Sequence, residues 1–223
     1  MSMSEILSTA SDAFRLIVTG LPIVLLLTFV SFFPALGIGI LGGLLASSRV
    51  RALRFLVGIY VYIFRSTPFL MFIFLVYYGL PEFGIDIGPV ATAIIALSLS
   101  HGAYMTEIIR GGLGSLDKGQ NEAAIALGFS LFQRLRDITL PQTLMAIIPS
   151  LLGQAILIVK DTSLVSVVGI SEITRLGREV VIRTNEPFVV FSLLALTYFA
   201  VCFVLETAAR KLEVKARLVI SGH

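Results

Sequence analysis

Arg65, Ser98, His101, Gln154 and Asp161 stand within, or at the ends of, long apolar runs. A charge at the centre of a bilayer costs about 2.5–3.5 kcal/mol on insertion scales, so polar groups in such runs are functional candidates by default. On one run Ser150, Gln154, Leu157 and Asp161 follow at i, i+4, i+7 and i+11 and share a helix face. Gln154 and Asp161 are then roughly 10 Å apart along the axis, at 1.5 Å per residue. That length suits a small molecule with polar groups at both ends, such as an amino acid, whose ammonium needs an acceptor like Asp161. The alternative for Asp161 is a helix-end residue wetted at the interface beside Lys160. Ser98, His101 and Met105 share a face of another run, where His101 could meet a ligand or make an interhelical hydrogen bond. Arg65 precedes Thr67-Pro68, and proline removes a backbone donor while disfavouring helix at the residue before it. A broken helix with an arginine beside it could bind a carboxylate, or the arginine could hold the break closed by bonding freed carbonyls. This chemistry is recognition rather than catalysis. The sequence has no Ser/His pair at catalytic spacing, no HExxH, no paired intramembrane carboxylates and no Cys/His metal cluster, and Cys202 is its single cysteine.

Helices must position these groups. Apolar residues make up 57% of the 223-residue chain and charged residues 14%, against about 25% charged in soluble domains, and the mean hydropathy is +0.96. Five spans are predicted, at about 21–46, 55–80, 87–106, 138–159 and 187–205, each near the ~20 residues that cross a bilayer as a helix. Residues 1–20 are expected as a periplasmic N-terminal segment, 111–137 as a cytoplasmic loop and 208–223 as a cytoplasmic tail. The orientation rests on basic residues in alternate loops: Arg49, Arg51, Arg54; then Arg110, Lys118, Arg134, Arg136; then Arg210, Lys211, Lys215, Arg217. That places the N-terminus outside and the C-terminus in the cytoplasm. The net charge of +3 is spread between spans, which excludes a nucleic-acid footprint; the surrounding partner is membrane lipid. Gly37, Gly39 and Gly42 read G-x-G-x-x-G but lack the strand and acid of a dinucleotide site. Gly39 and Gly43 instead form a small-xxx-small pair for close helix packing. There is no phosphate-binding loop, so ATP, if it drives the protein, binds to another chain.

One polar stretch stands apart: "NEAAIALGFSLFQRLRDITLP", residues 121–141. Glu122, Ala123 and Ala124, then Leu127, Gly128 and Phe129, then Ile138, Leu140 and Pro141 predict a short helix broken at Gly128. A second helix starts near Ser130, and Pro141 opens the next span. Such an elbow could lie in a groove of a soluble partner or rest at the lipid headgroups. The spacing E-A-A-x3-G-x9-I-x-L-P resembles the EAA loop of ABC-transporter permeases. "FRSTPFLMFIFLVYYGLP" (64–81), "HGAYMTEIIRGGLGSLDKGQNEAA" (101–124) and "VKDTSLVSVVGISEI" (159–173) resemble stretches of the polar amino-acid permease family. Departures are Ser66 for the usual glycine, His101 near a usual Asn or Ser, and Leu116-Asp117 for Ile-Pro.

The resemblance implies an all-α membrane protein of the type I importer fold, a multi-pass chain of the bacterial inner membrane. It implies import of a polar amino acid or close analogue, with no enzyme activity or cofactor of its own and ATP-Mg held by the partner. The implied partners are a cytoplasmic ABC ATPase dimer docked on Glu122–Pro141, a second permease copy or related chain, and a periplasmic or lipid-anchored amino-acid-binding protein. Gln154 and Asp161 are implied as pocket residues, with His101, Ser98 and Arg65 as further candidates. The rival reading is an autonomous channel or ion-coupled secondary transporter.

Overall fold

The computed structural model describes residues 3–221, with side-chain surroundings from Ala10 to Lys215 apart from Lys118 and Asn121. The helices are α1 (Met3–Val18), α2 (Leu21–Ala46), α3 (Arg51–Ser66), α4 (Phe69–Glu82), α5 (Gly88–Gly114), α6 (Lys118–Ala126), α7 (Leu131–Arg134), α8 (Leu140–Asp161), α9 (Ile173–Thr184) and α10 (Pro187–Ser221). A π-helical turn, Leu135–Thr139, joins α7 to α8, and a 3-10 turn, Thr162–Val168, follows α8.

By length and composition, Ala10–Ala46, Leu131–Val168 and Pro187–Lys215 can each cross a membrane. The expected span at 55–80 is not straight. α3 and α4 meet at 104°, with Thr67 extended (φ −95°, ψ 127°) and Pro68 at the N-cap of α4. Pro68 has no N–H to continue the α3 ladder and excludes helical geometry at Thr67. The expected span at 87–106 lies within α5, which is not among the three apolar stretches. Its middle carries Ser98, Ser100, His101 and Thr106, all buried by neighbouring helices, so it faces protein where an ordinary span faces lipid.

α5 lies against α2, α3, α4 and α8. A Cβ on Gly39 would sit 2.5 Å from that of Met105, one on Gly43 would sit 2.7 Å from Ile109 Cγ2, and one on Gly42 would collide with Thr106. Bare backbone is what lets α2 and α5 pack along their length, as the Gly39–Gly43 pairing predicts. Tyr60 of α3 donates to the Leu99 carbonyl of α5 at 2.6 Å.

The core has two parts. One joins α2, α4, α5 and α8 around Leu27, Ile73, Leu97, Met105 and Ile158. The other joins α1, α8, α9 and α10 around Ala13, Ile17, Val159, Ile173 and Val190. The first twenty residues therefore do more than lead into the bundle: α1 is helical, and Ala13 and Ile17 are fully buried. The expected tail from 208 is the helical continuation of α10.

Candidate substrate clasp and coupling elbow

Three of the predicted polar residues meet. His101 of α5 is 2% exposed and Gln154 of α8 is 5% exposed, and Gln154 Nε2 donates to His101 Nδ1 over 2.6 Å. With the amide NH2 placed toward the ring, Nδ1 is the acceptor and Nε2 is the other ring nitrogen. That nitrogen lies 3.2 Å from Asp161 Oδ2, off hydrogen-bond alignment. His101 is thus held by Gln154 on one side and faces Asp161 on the other, with Phe69 and Tyr104 rings each 6.4 Å away. Asp161 keeps 35% of its side chain exposed, leaving carboxylate lone pairs open for a cationic group. The clasp spans two helices: α5 supplies the imidazole, and α8 supplies the amide and the carboxylate.

The rest of the predicted α8 face divides. Gln154 turns inward, while Ser150 and Leu157 are exposed. Ser98 does not join the clasp. It donates to the Ser31 carbonyl of α2 at 3.3 Å, and Met105 packs on Gly39 of the same helix. Residues 98, 101 and 105 fall within 60° on a helical wheel, yet that arc covers two neighbours, α2 and α8. Arg65 lies one aromatic ring away from His101, over Tyr104 at 5.3 Å, and among the described residues no hydrogen bond joins it to the carbonyls at the α3 break. The acidic recess lined by Tyr77, Tyr78, Glu82 and Asp86 shares no lining residue with the clasp.

The elbow takes the predicted shape. Asp117 caps α6 by accepting from Gly119 N at 2.9 Å. The helix ends with Gly128 N donating to the Ile125 carbonyl and Phe129 N to the Ala124 carbonyl, both at 3.0 Å. This is a Schellman closure, which needs a left-handed residue, and Gly128 has φ +79°. Ser130 then caps α7 with a reciprocal capping box to Gln133. Ala124 is buried, while Ile125, Leu127, Leu131 and Phe132 are 54%, 76%, 63% and 70% exposed. Glu122 and Ala123 are exposed, Phe129 is 37% exposed, Ile138 is half-buried and Leu140 is 54% exposed. Pro141 occupies the first turn of α8, and Gln142 of α8 donates to Gln120 of α6, tying the first arm to the start of α8.

Residues 35–218 match the family described as binding-protein-dependent transport system inner membrane component. The chain belongs to this family. As an inner membrane component it is a multi-pass permease of the ABC-importer class. It is 38% identical over 199 residues to the probable glutamine ABC transporter permease protein GlnP of Bacillus subtilis, covering 88% of this chain and 91% of that protein. It is 33% identical over 205 residues to the arginine transport system permease protein ArtQ of the same organism, covering 90% and 92%. A solved amino acid ABC transporter with histidines superposes with a TM-score of 0.84 at 30% identity, covering 90% of this chain and 94% of that one. The MetNI methionine ABC transporter, at 21% identity and a TM-score of 0.75, shares the fold.

One buried acid escaped the sequence reading. Glu172 is fully buried and accepts from Thr174 N at 2.8 Å, Arg175 N at 2.9 Å and the Tyr198 hydroxyl at 2.7 Å. It caps α9 and ties it to α10. In the sequence it resembles one of several charges balancing Arg175, Arg178 and Arg183. The signal available was its place directly before an amphipathic helix, the position of an N-cap.

Proposed function

We propose that this inner membrane component is the permease of an ATP-driven importer for an amino acid or close analogue. A separate ATPase pair docks on the α6–α7 elbow, and a binding protein delivers the substrate. The observation that carries the reading is the elbow itself: four large apolar side chains held outward by a Schellman closure and a capping box. Exposed apolar groups on a rigid projection call for a groove in a partner. The named amino-acid transporters among the relatives support the substrate class. In this reading Asp161 receives the ammonium, and His101, held by Gln154, backs the carboxylate from inside the bundle. ATP closes the ATPase pair, the two elbows approach, and the bundle shifts between two states whose balance the partners set.

The experiment is reconstitution of the permease with its ATPase and binding protein. Glu122→Lys reverses a charge on the docking arm and is expected to weaken ATPase co-purification at least tenfold; unchanged co-purification counts against docking there. Asp161→Asn removes a charge-assisted contact worth about 1.5–3 kcal/mol. Amino-acid uptake should then fall roughly 10- to 100-fold with the complex still assembled. Uptake by the permease alone, driven by an ion gradient, would support the autonomous carrier instead.

A further inference from the structure

At the break between α3 and α4 stands Arg65. No hydrogen bond of the Arg65 side chain is found among the described residues; its contacts are the face of Tyr104, 5.3 Å from the guanidinium carbon, and the field of Glu107. Glu107 lies one turn past Tyr104 on α5, in a bidentate pair with Arg110 at 2.9 and 2.7 Å. That bond, then the charges of Arg110 and Arg65, hold its carboxyl below the ordinary value. It remains an anion. Gly58, Tyr62, Arg65, Ser66, Tyr104 and Glu107 line one recess of about 480 Å³, within the 300–1,000 Å³ typical of small-molecule sites. A Cβ on Gly58 would meet nothing within 4 Å, so there is open space beside it.

The recess offers a forked cation, an anion, aromatic rings and hydroxyls. Arg favours planar carboxylates because its donors are set in a fork. One charge of each sign beside a ring matches a zwitterion of amino-acid size. The position is also informative. Tyr104 separates the recess from His101, and Glu107 and Arg110 lie toward the end of α5 that leads into the elbow.

We propose that this recess is a second station for the transported amino acid, with its carboxylate on Arg65 and its ammonium toward Glu107, between the His101 clasp and the elbow. The inference rests on the reading of the chain as an amino-acid permease, and places a step after the clasp on the route.

Tyr62 lines the recess and is 74% exposed, and Cys202 is the single cysteine, so a thiol probe can be placed cleanly. The test uses Tyr62→Cys in a Cys202→Ala background, in the complex with its ATPase and binding protein, in neutral phosphatidylcholine vesicles. The rate of modification by a charged thiosulfonate reagent is measured with and without L-glutamine or L-arginine. The expected result is at least threefold slowing by the amino acid that the complex imports. Arg65→Gln should abolish that protection, Arg65→Lys should retain part of it, and Asp161→Asn should retain it at saturating ligand. Three results would each overturn the station: no protection by either amino acid, protection lost with Asp161→Asn and kept with Arg65→Gln, or slowing that follows anionic lipid and ignores amino acid. Failure of the underlying reading is distinct: uptake would be indifferent to Asp161→Asn, whatever happens at Tyr62→Cys. Complex yield on size exclusion separates misfolding from lost binding, and a variant that fails to assemble is replaced by Glu107→Gln, which should also reduce protection.

Discussion

Glu172 sets the energetics at the smallest scale. Burial raises its carboxyl above the ordinary value, and the donors from Thr174, Tyr198 and Arg175 offset part of that rise. A carboxyl with a raised folded value binds its proton more readily folded than unfolded. The stability it adds is complete below the unfolded value and is lost as pH rises through the folded one. Thermal unfolding of the purified permease should therefore show stability falling with pH from the ordinary carboxylate range upward. Glu172→Gln should flatten that slope. Glu172→Ala strands donors in a dry site at about 1–3 kcal/mol each and should lower the melting temperature at every pH. An unchanged slope in the glutamine variant would assign the pH dependence elsewhere.

At the scale of elements, the elbow depends on two small residues. Gly128 adopts φ +79° with open space around it, so Gly128→Ala meets no clash and only the left-handed backbone cost of roughly 1–2 kcal/mol. Ser130→Ala removes a capping box worth about 1 kcal/mol. Gly128→Ala should weaken ATPase binding by about five- to thirtyfold and Ser130→Ala by about fivefold, measured by surface capture of the ATPase, with the bundle still folded. A full-strength complex from both variants would mean that the partner does not read the bend.

The elbow was legible because its geometry is local: a glycine after an Ala-rich turn, a helix start near Ser130, then proline. The α3–α4 break was legible at Pro68 for the same reason. Partnerships between distant helices were not. Periodicity put Ser98 and His101 on one face of α5, but which neighbour covers each part of that face depends on how α2 and α8 pack. That Gln154 and Asp161 meet His101, rather than each other's ligand ends alone, is likewise a product of packing. α1 was missed as a core element because its charges conceal the Ala13–Ile17 stripe that α9 and α10 cover.

For the whole molecule, the seam between α2 and α5 organises the bundle, and the glycines along it are unequal. Gly39 touches Met105, whereas Gly37 faces nothing within 4 Å, though both belong to the same G-x-G pattern. Gly39→Leu should drive the helices apart and cut the yield of monodisperse protein severely, while Gly37→Ala should leave yield unchanged and the melting temperature at or slightly above the parent's. Fluorescence-detected size exclusion compares them directly, and equal yields would remove the seam from its organising role.

The chain passes from α5 through α6 and α7 into α8, and the last of these stretches, Leu131–Val168, is 38 residues long. His101 is mounted on the incoming rod, Gln154 and Asp161 on the outgoing one. The protein is therefore built like a pair of tongs, with the elbow as its handle and its jaws about 20 Å further along α8, at 1.5 Å per residue from Leu140 to Gln154. On the proposed reading, closing the handle would alter the gap between the jaws with no messenger between them, and grip and fuel would never share a side chain.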